Sequence, residues 1–152
     1  MSEEGRKVVA VNRKARHDYF IDETYDAGIA LVGTEVKSVR AGKASLQESF
    51  AKIVNGEAWL YNMYIAPYEQ GNRYNLEPRR PRKLLLHKSE IERLAAETQQ
   101  KGLSLIPTQI YFVRGHAKIE LGVAKGKKLY DKRDAIAERD IERDARRELS
   151  ER

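Results

Sequence analysis

The alternation of apolar and polar positions sorts most of the first half of the chain into strands. "KVVAVN" (7–12) is short and rich in valine. "YFIDETY" (19–25) and "IALV" (29–32) flank Asp26-Ala27-Gly28, which reads as a tight turn with Gly28 at positive φ. In "TEVKSVRAGK" (34–43) Val36 and Val39 share a helical face. Thr34 is the expected N-cap of this short helix, and Gly42 suits its C-terminal stop. "SFAKIV" and "EAWLYNMYI" flank Asn55-Gly56, a strong signal for a two-residue hairpin. Period-two alternation in the second of these puts Trp59, Tyr61, Met63 and Ile65 on one face.

The alternation stops at 66–83, "APYEQGNRYNLEPRRPRK", which holds three of the four prolines. A loop of this length in a small domain is often functional. "LLL" (84–86) is a short apolar strand, and "SEIERLAAETQQKG" follows as a helix. Ser89 and Glu92 suggest a capping box, Ile91, Leu94 and Ala95 an apolar stripe, and Gly102 the end. A last hairpin pairs 103–113 with 117–124 around Arg114-Gly115-His116. Ala117, Ile119, Leu121 and Val123 face in, while Lys118 and Glu120 face out. Pro107 marks an edge or a bulge. Five or more hairpin-linked antiparallel strands with a helix before the final hairpin predict a mainly β fold. The expected architecture is a small barrel of the oligonucleotide-binding (OB) kind with two to three helices.

Charge changes this picture. Lysine and arginine outnumber aspartate and glutamate by 29 to 23 in 152 residues, for a net charge of +6 and a pI near 9.5. Nucleic acid, an anionic membrane or an acidic protein are the partners such a domain suits. No apolar run is long enough to span a membrane, and the N-terminus lacks the apolar core of a signal peptide. Cysteine is absent, which removes thiol chemistry and fits a reducing cytosol, and the three histidines have no metal-ligand spacing. Neither a cofactor nor a catalytic motif is expected. His17 beside Asp18 could serve a nuclease, but a histidine among basic residues is more often an RNA contact.

The cations fall into three clusters beside aromatic rings. "NRKARH" (12–17) precedes Tyr19 and Phe20, and "RRPRK" (79–83) follows Arg73-Tyr74. Lys125, Lys127, Lys128, Lys132 and Arg133 surround Tyr130. Phosphates pair with lysine and arginine while unstacked bases sit on rings, so the pattern suits single-stranded or looped RNA. Residues 134–152 hold seven acidic and five basic residues, with a thin stripe of Ala137, Ile141, Ala145 and Leu149. An isolated helix of that kind is marginal in water, so the tail is expected to become helical when bound.

Three stretches together resemble the SsrA-binding protein family (small protein B): "NRKARHDYFIDETYDAGIALVGTEVKSVRAGKASL" (12–46), "RKLLLHKSEI" (82–91) and "LGVAKGKKLYDKRD" (121–134). The resemblance implies an RNA-binding barrel over 1–124 and a ribosome-engaging tail over 125–152. It implies a cytoplasmic, monomeric binding protein, not an enzyme. Such a protein binds the tRNA-like domain of transfer-messenger RNA and escorts it, with elongation factor Tu and GTP, to stalled ribosomes for trans-translation. Carried onto this chain, the RNA-binding residues are Asn12, Arg13, Arg16, His17, Asp26, Leu85 and His87. Asp26 stands where the family often has glutamate and His87 where relatives often have asparagine. The motif that enters the decoding centre and the empty message channel maps to Gly126, Lys127, Lys128, Tyr130, Asp131, Lys132 and Arg133. A general single-strand or ribosomal RNA binder is the alternative that the same barrel allows.

Overall fold

The computed structural model describes residues 5–68 and 76–126. Nine strands and three helices follow one another among these residues: β1 (Arg6–Val11), α1 (Arg13–Asp18), β2 (Tyr19–Ile29), α2 (Gly33–Arg40), β3 (Ala44–Ser45), β4 (Phe50–Val54), β5 (Glu57–Tyr61), β6 (Tyr64–Ile65), β7 (Arg82–Leu85), α3 (Lys88–Lys101), β8 (Ser104–Val113) and β9 (His116–Gly126). Strands β8, β4, β5, β7, β2 and β9 pair in that order, and β9 pairs back onto β8 to close a six-stranded ring. All of these pairs are antiparallel, and β1 pairs with residues 109–113 of β8, beyond the bridge to β4. The seam between β4 and β8 is narrow, a single bridge of Ala51 to Leu105. This is the small barrel the strand pattern predicts, and β9 runs to Gly126, two residues past the expected barrel boundary.

The barrel is filled by inward-facing apolar side chains, among them Ala27, Leu60, Leu84, Ile110, Ile119 and Leu121, all at most 1% exposed. Helices α2 and α3 each add one fully buried apolar side chain to the same core, Val39 and Leu94. A second, smaller cluster lies outside the ring, where Ala15 of α1 packs with Ile106 and Ala124. Bulges allow a single strand to serve both clusters. The register of β2 on β9 shifts between Ile21 and Glu23, so Ile21 meets Ala124 on the outer face while Tyr25 and Ala27 face the core. In β8 the shift lies between Pro107 and Gln109, which makes Pro107 a bulge neighbour on a strand paired on both sides.

Several expectations are corrected. Asp26-Ala27-Gly28 is not a turn, because β2 continues through it, paired with β9 to Gly28 and with β7 at Gly28 and Ile29. Glycine at 28 suits a close approach, since a Cβ there would lie 3.2 Å from Leu85 Cβ. Trp59 and Tyr61 do not share a face with Met63 and Ile65. Asn62 takes φ +70°, which ends the alternation, so Ala58 and Leu60 point inward before it and Met63 and Ile65 after it. Trp59 and Tyr61 are left half-buried on the outer face. Helix α2 starts two residues before the expected cap, with Val32 at the N-cap and its amide donating to Glu35 Oε1 at 3.1 Å. Helix α3 likewise starts at Lys88 after His87, whose amide donates to Glu90 Oε1 at 3.0 Å. The Asn55-Gly56 hairpin and the left-handed stop at Gly102 stand as expected. The 103–124 hairpin also stands, turning on Arg114 and Gly115. The chain between 68 and 76 and the tail over 134–152, expected to become helical when bound, lie outside the described residues.

Candidate nucleic-acid interface

The first basic cluster forms a helix that the strand pattern does not reveal. Asn12 caps α1, with its Oδ1 accepting from the Ala15 amide at 3.1 Å. Its Nδ2 donates to the carbonyls of Leu46 at 3.2 Å and Pro107 at 3.0 Å. Asn12 is therefore buried, with both ends of its amide engaged inside the protein. These bonds hold the start of α1 against β8.

Burial of Ala15 then decides which side chains of α1 turn outward: Arg13, Lys14, Arg16 and His17 are all exposed. The His17 ring is 84% exposed and its Nδ1 lies 2.9 Å from Asp18 Oδ1. With Nδ1 engaged by that carboxylate, Nε2 is the ring nitrogen left for an outside partner. Lys14 Nζ reaches Glu48 Oε2 at 2.8 Å, which raises the Lys14 pKa through that hydrogen bond and the carboxylate charge. This pair spans a cleft of about 750 Å³ whose walls include Asp18, Tyr19, Phe50 and Lys52.

Asp26 lies on the outer face of β2, seven residues beyond Tyr19, or about 23 Å along an extended strand. Its Oδ1 accepts from the Tyr111 hydroxyl and, at 3.3 Å, from Arg6 Nη2. The Arg6 guanidinium carbon also lies over the Tyr111 ring, 3.8 Å from its centroid. Burial and the bond to Asp26 push the Tyr111 phenol above its usual pKa, so it stays a donor. Neither Arg6 nor Tyr111 is legible as a site residue from sequence, because β1 and β8 meet Asp26 only when the sheet closes.

Leu85 of β7 sits over Gly28 and is 53% exposed, an unusual position for a large apolar side chain in a strand that otherwise buries Leu84. It borders a shallow groove with Leu31, Val36, His116 and Lys118. His116 and Lys118 are likewise unmarked in the sequence. His87 follows, exposed at the N-cap of α3. Asp26 and Leu85 thus lie near one end of β2, whereas Arg13, Arg16 and His17 lie at the other.

The second basic cluster has a different fate. Arg82 is 1% exposed and its guanidinium donates to Glu35 Oε2 at 2.9 Å, to the Met63 carbonyl at 2.7 Å and to the Pro78 carbonyl at 2.9 Å. Arg80 donates to both oxygens of the same carboxylate, at 2.7 and 3.0 Å. Burial alone would raise the Glu35 pKa, but the bonds from Arg80, the Val32 amide and Arg82 outweigh it and hold the carboxyl below its usual range. Burial lowers the Arg82 pKa, partly countered by Glu35. This corrects the reading of 79–83 as an RNA-facing cluster, since two of its arginines tie α2 to β7. Gly126 ends β9 opposite Tyr19. Lys127, Lys128, Tyr130, Asp131, Lys132 and Arg133 lie outside the described residues, as do Arg73 and Tyr74. Among the described residues no group of histidine and carboxylate side chains could hold a metal ion, and no helix is long and apolar enough to cross a membrane.

Known proteins resemble this chain along nearly its whole length. The family model described as SmpB protein matches residues 9–151. An SsrA-binding protein of Desulforudis audaxviator is 65% identical over 147 residues, covering 97% of this chain and 96% of the relative. One from Carboxydothermus hydrogenoformans is 62% identical, covering 94% and 96%. A solved chain from a study of tmRNA-SmpB in the bacterial ribosome superposes with a TM-score of 0.69 at 57% identity, covering 90% of this chain and 93% of that one. With nearly its full length matched at such identity, the chain belongs to the SmpB protein family.

Proposed function

We propose that the protein binds the tRNA-like domain of transfer-messenger RNA and brings it to stalled ribosomes for trans-translation. Its relatives are SsrA-binding proteins, and the solved neighbour is an SmpB studied with tmRNA in the ribosome. The observation on the molecule that carries the reading is the outward array on α1. Arg13, Arg16 and His17 are held at fixed spacing by a buried asparagine cap, beside Tyr19 and Phe20. Arginine and lysine supply phosphate contacts, and the rings and His17 offer stacking and base-edge contacts.

Asp26 lies next to Arg6 and already accepts from Tyr111, so it can orient Arg6 or accept from a ribose or base donor. Leu85 offers an apolar contact in the same region, and His87 a polar one. In this reading the stretch Gly126, Lys127, Lys128, Tyr130, Asp131, Lys132 and Arg133 engages the decoding centre and the message channel. Elongation factor Tu is met only through the charged RNA. The protein acts in the cytoplasm as a monomeric binder, without a cofactor and without catalysing a step.

The test is binding of the isolated tRNA-like domain to the full chain across a salt series. Affinity should fall steeply with salt, and Arg13→Ala with Arg16→Ala should lower the slope by about 0.9 for every phosphate that is no longer neutralised. Equal affinity for arbitrary single strands would instead favour the general RNA binder. A chain ending at Ala124 should keep this affinity and lose peptide tagging on stalled ribosomes.

A further inference from the structure

The outer face of the barrel carries a buried tyrosine that neither apolar cluster uses. Tyr111 is 2% exposed, yet it belongs to neither cluster and lies between Val8 of β1 and Lys118 of β9, its cross-strand partners. The Arg6 guanidinium covers its ring, and the Arg6 side chain is itself only 8% exposed. Both residues donate to a single atom, Asp26 Oδ1. Asp26 keeps half of its side chain exposed, and among the described residues its Oδ2 has no hydrogen-bond partner.

Packing alone does not account for this arrangement. A phenylalanine would fill the space of Tyr111, so the hydroxyl is explained only by Asp26. Arg6 Nε is buried without a partner, so the guanidinium sits where one of its donors goes unpaired. The terminal torsion of an aspartate is broad when nothing holds it. Two donors converging on Oδ1 from β1 and β8 stop the carboxylate from turning and leave Oδ2 as the acceptor open to a ligand. Glu120, opposite Asp26 on β9, is committed elsewhere, since its Oε1 accepts from Thr108 Oγ1 at 3.0 Å and Gln109 Nε2 at 2.5 Å. Leu85 stands over Gly28, two residues from Asp26 and on the same face of β2.

We propose that Arg6 and Tyr111 are positioning residues for RNA recognition: they fix the Asp26 carboxylate so that Oδ2 accepts from a ribose hydroxyl or a base N–H of the tRNA-like domain, and they touch no RNA themselves. The proposal rests on the transfer-messenger RNA reading and adds to it the two side chains that make an aspartate useful there. A carboxylate facing phosphates is repelled by them unless it gains a hydrogen bond in return. Arg6 offsets that repulsion with a charge that is almost covered. Its small exposed surface offers little to a phosphate, in contrast to Arg13 and Arg16 on α1.

The experiment is a double-mutant cycle read by binding of the isolated tRNA-like domain to the full chain across a salt series. Tyr111→Phe keeps the ring under Arg6 and removes only the hydroxyl. It should weaken binding roughly tenfold, the scale of one hydrogen bond to a charged group. The salt slope should stay that of the parent, because no phosphate contact is lost. Arg6→Gln should behave in the same way, and a slope lower by about 0.9 would make Arg6 a phosphate contact and overturn the proposal. Asp26→Asn can present an amide donor in place of Oδ2, so it should weaken binding at least as much although it removes a negative charge. In that background Tyr111→Phe should cost nothing more, whereas a tyrosine that only supports the fold would add its loss in full. Each variant is first matched to the parent by thermal unfolding, and if Tyr111→Phe melts early the cycle is run with Arg6→Gln. Additive losses overturn the proposal, as does parent-like affinity in Tyr111→Phe, and both results leave the transfer-messenger RNA reading standing. That reading falls, and the positioning role with it, if the parent itself binds arbitrary single strands as well as the domain.

Discussion

Two stretches of this chain look alike on paper and differ completely in space. Residues 12–17 and 79–83 each carry four basic side chains, yet α1 turns all of its own to the surface while β7 and the turn before it bury or pair most of theirs. The difference comes from what lies opposite. Ala15 gives α1 a small apolar anchor, so the long cationic side chains must point away from the barrel. Arg82 occupies an inward position of β7, level with Leu60, and is tolerated there only because Glu35 and two carbonyls satisfy its guanidinium. A count of positive charges therefore overstates the RNA-facing charge, and the surplus is architectural.

The strongest way to break that contrast is Arg82→Met, which keeps volume but leaves Glu35 with Arg80 alone. Stability in urea should fall by about 3–5 kcal/mol, the cost typical of removing one partner of a buried pair. A loss below about 1 kcal/mol would put Arg82 with the surface cations. Next comes Asn12→Ala, which removes a helix cap and two buried hydrogen bonds and should cost about 2–3 kcal/mol. Affinity for the tRNA-like domain should fall with it as α1 loses its anchor. Full affinity would show that α1 needs no cap.

Acid sharpens the same contrast. The Glu35 carboxyl is held below its ordinary value of 4.5, so its ionised form is the one the fold favours. Its stabilisation is complete above that pH and is lost as pH falls through the lower folded value. In Glu35→Gln the acid limb of the stability profile should flatten, and an unchanged limb would assign the acid sensitivity to other carboxylates. The smallest effect belongs to Arg13→Ala, expected to stay within about 0.5 kcal/mol of the parent in urea while its affinity for the RNA drops. A larger loss of stability would mean that α1 depends on Arg13 for packing.

Much of the candidate interface can be read along the chain, but unevenly. Arg13, Arg16 and His17 are close together on one short helix, so their grouping is local and survives without the fold. Asp26 is readable as a residue but not as a site, since Tyr111 is 85 positions away and Arg6 is 20. Trp59 and Tyr61 are misassigned by alternation because a single left-handed residue, Asn62, reverses the phase after them.

What the amino acids determine alone is local. Turn chemistry at Asn55-Gly56 and Arg114-Gly115, the stop at Gly102 and the alternation of β9 need only neighbouring residues and their backbone preferences. Motif likeness to the SmpB family is local in the same sense. Only closure of the barrel decides which cation meets water, which ring faces out and which carboxylate is shared. Those outcomes depend on strand register, and one bulge or one positive φ exchanges the two faces of everything beyond it.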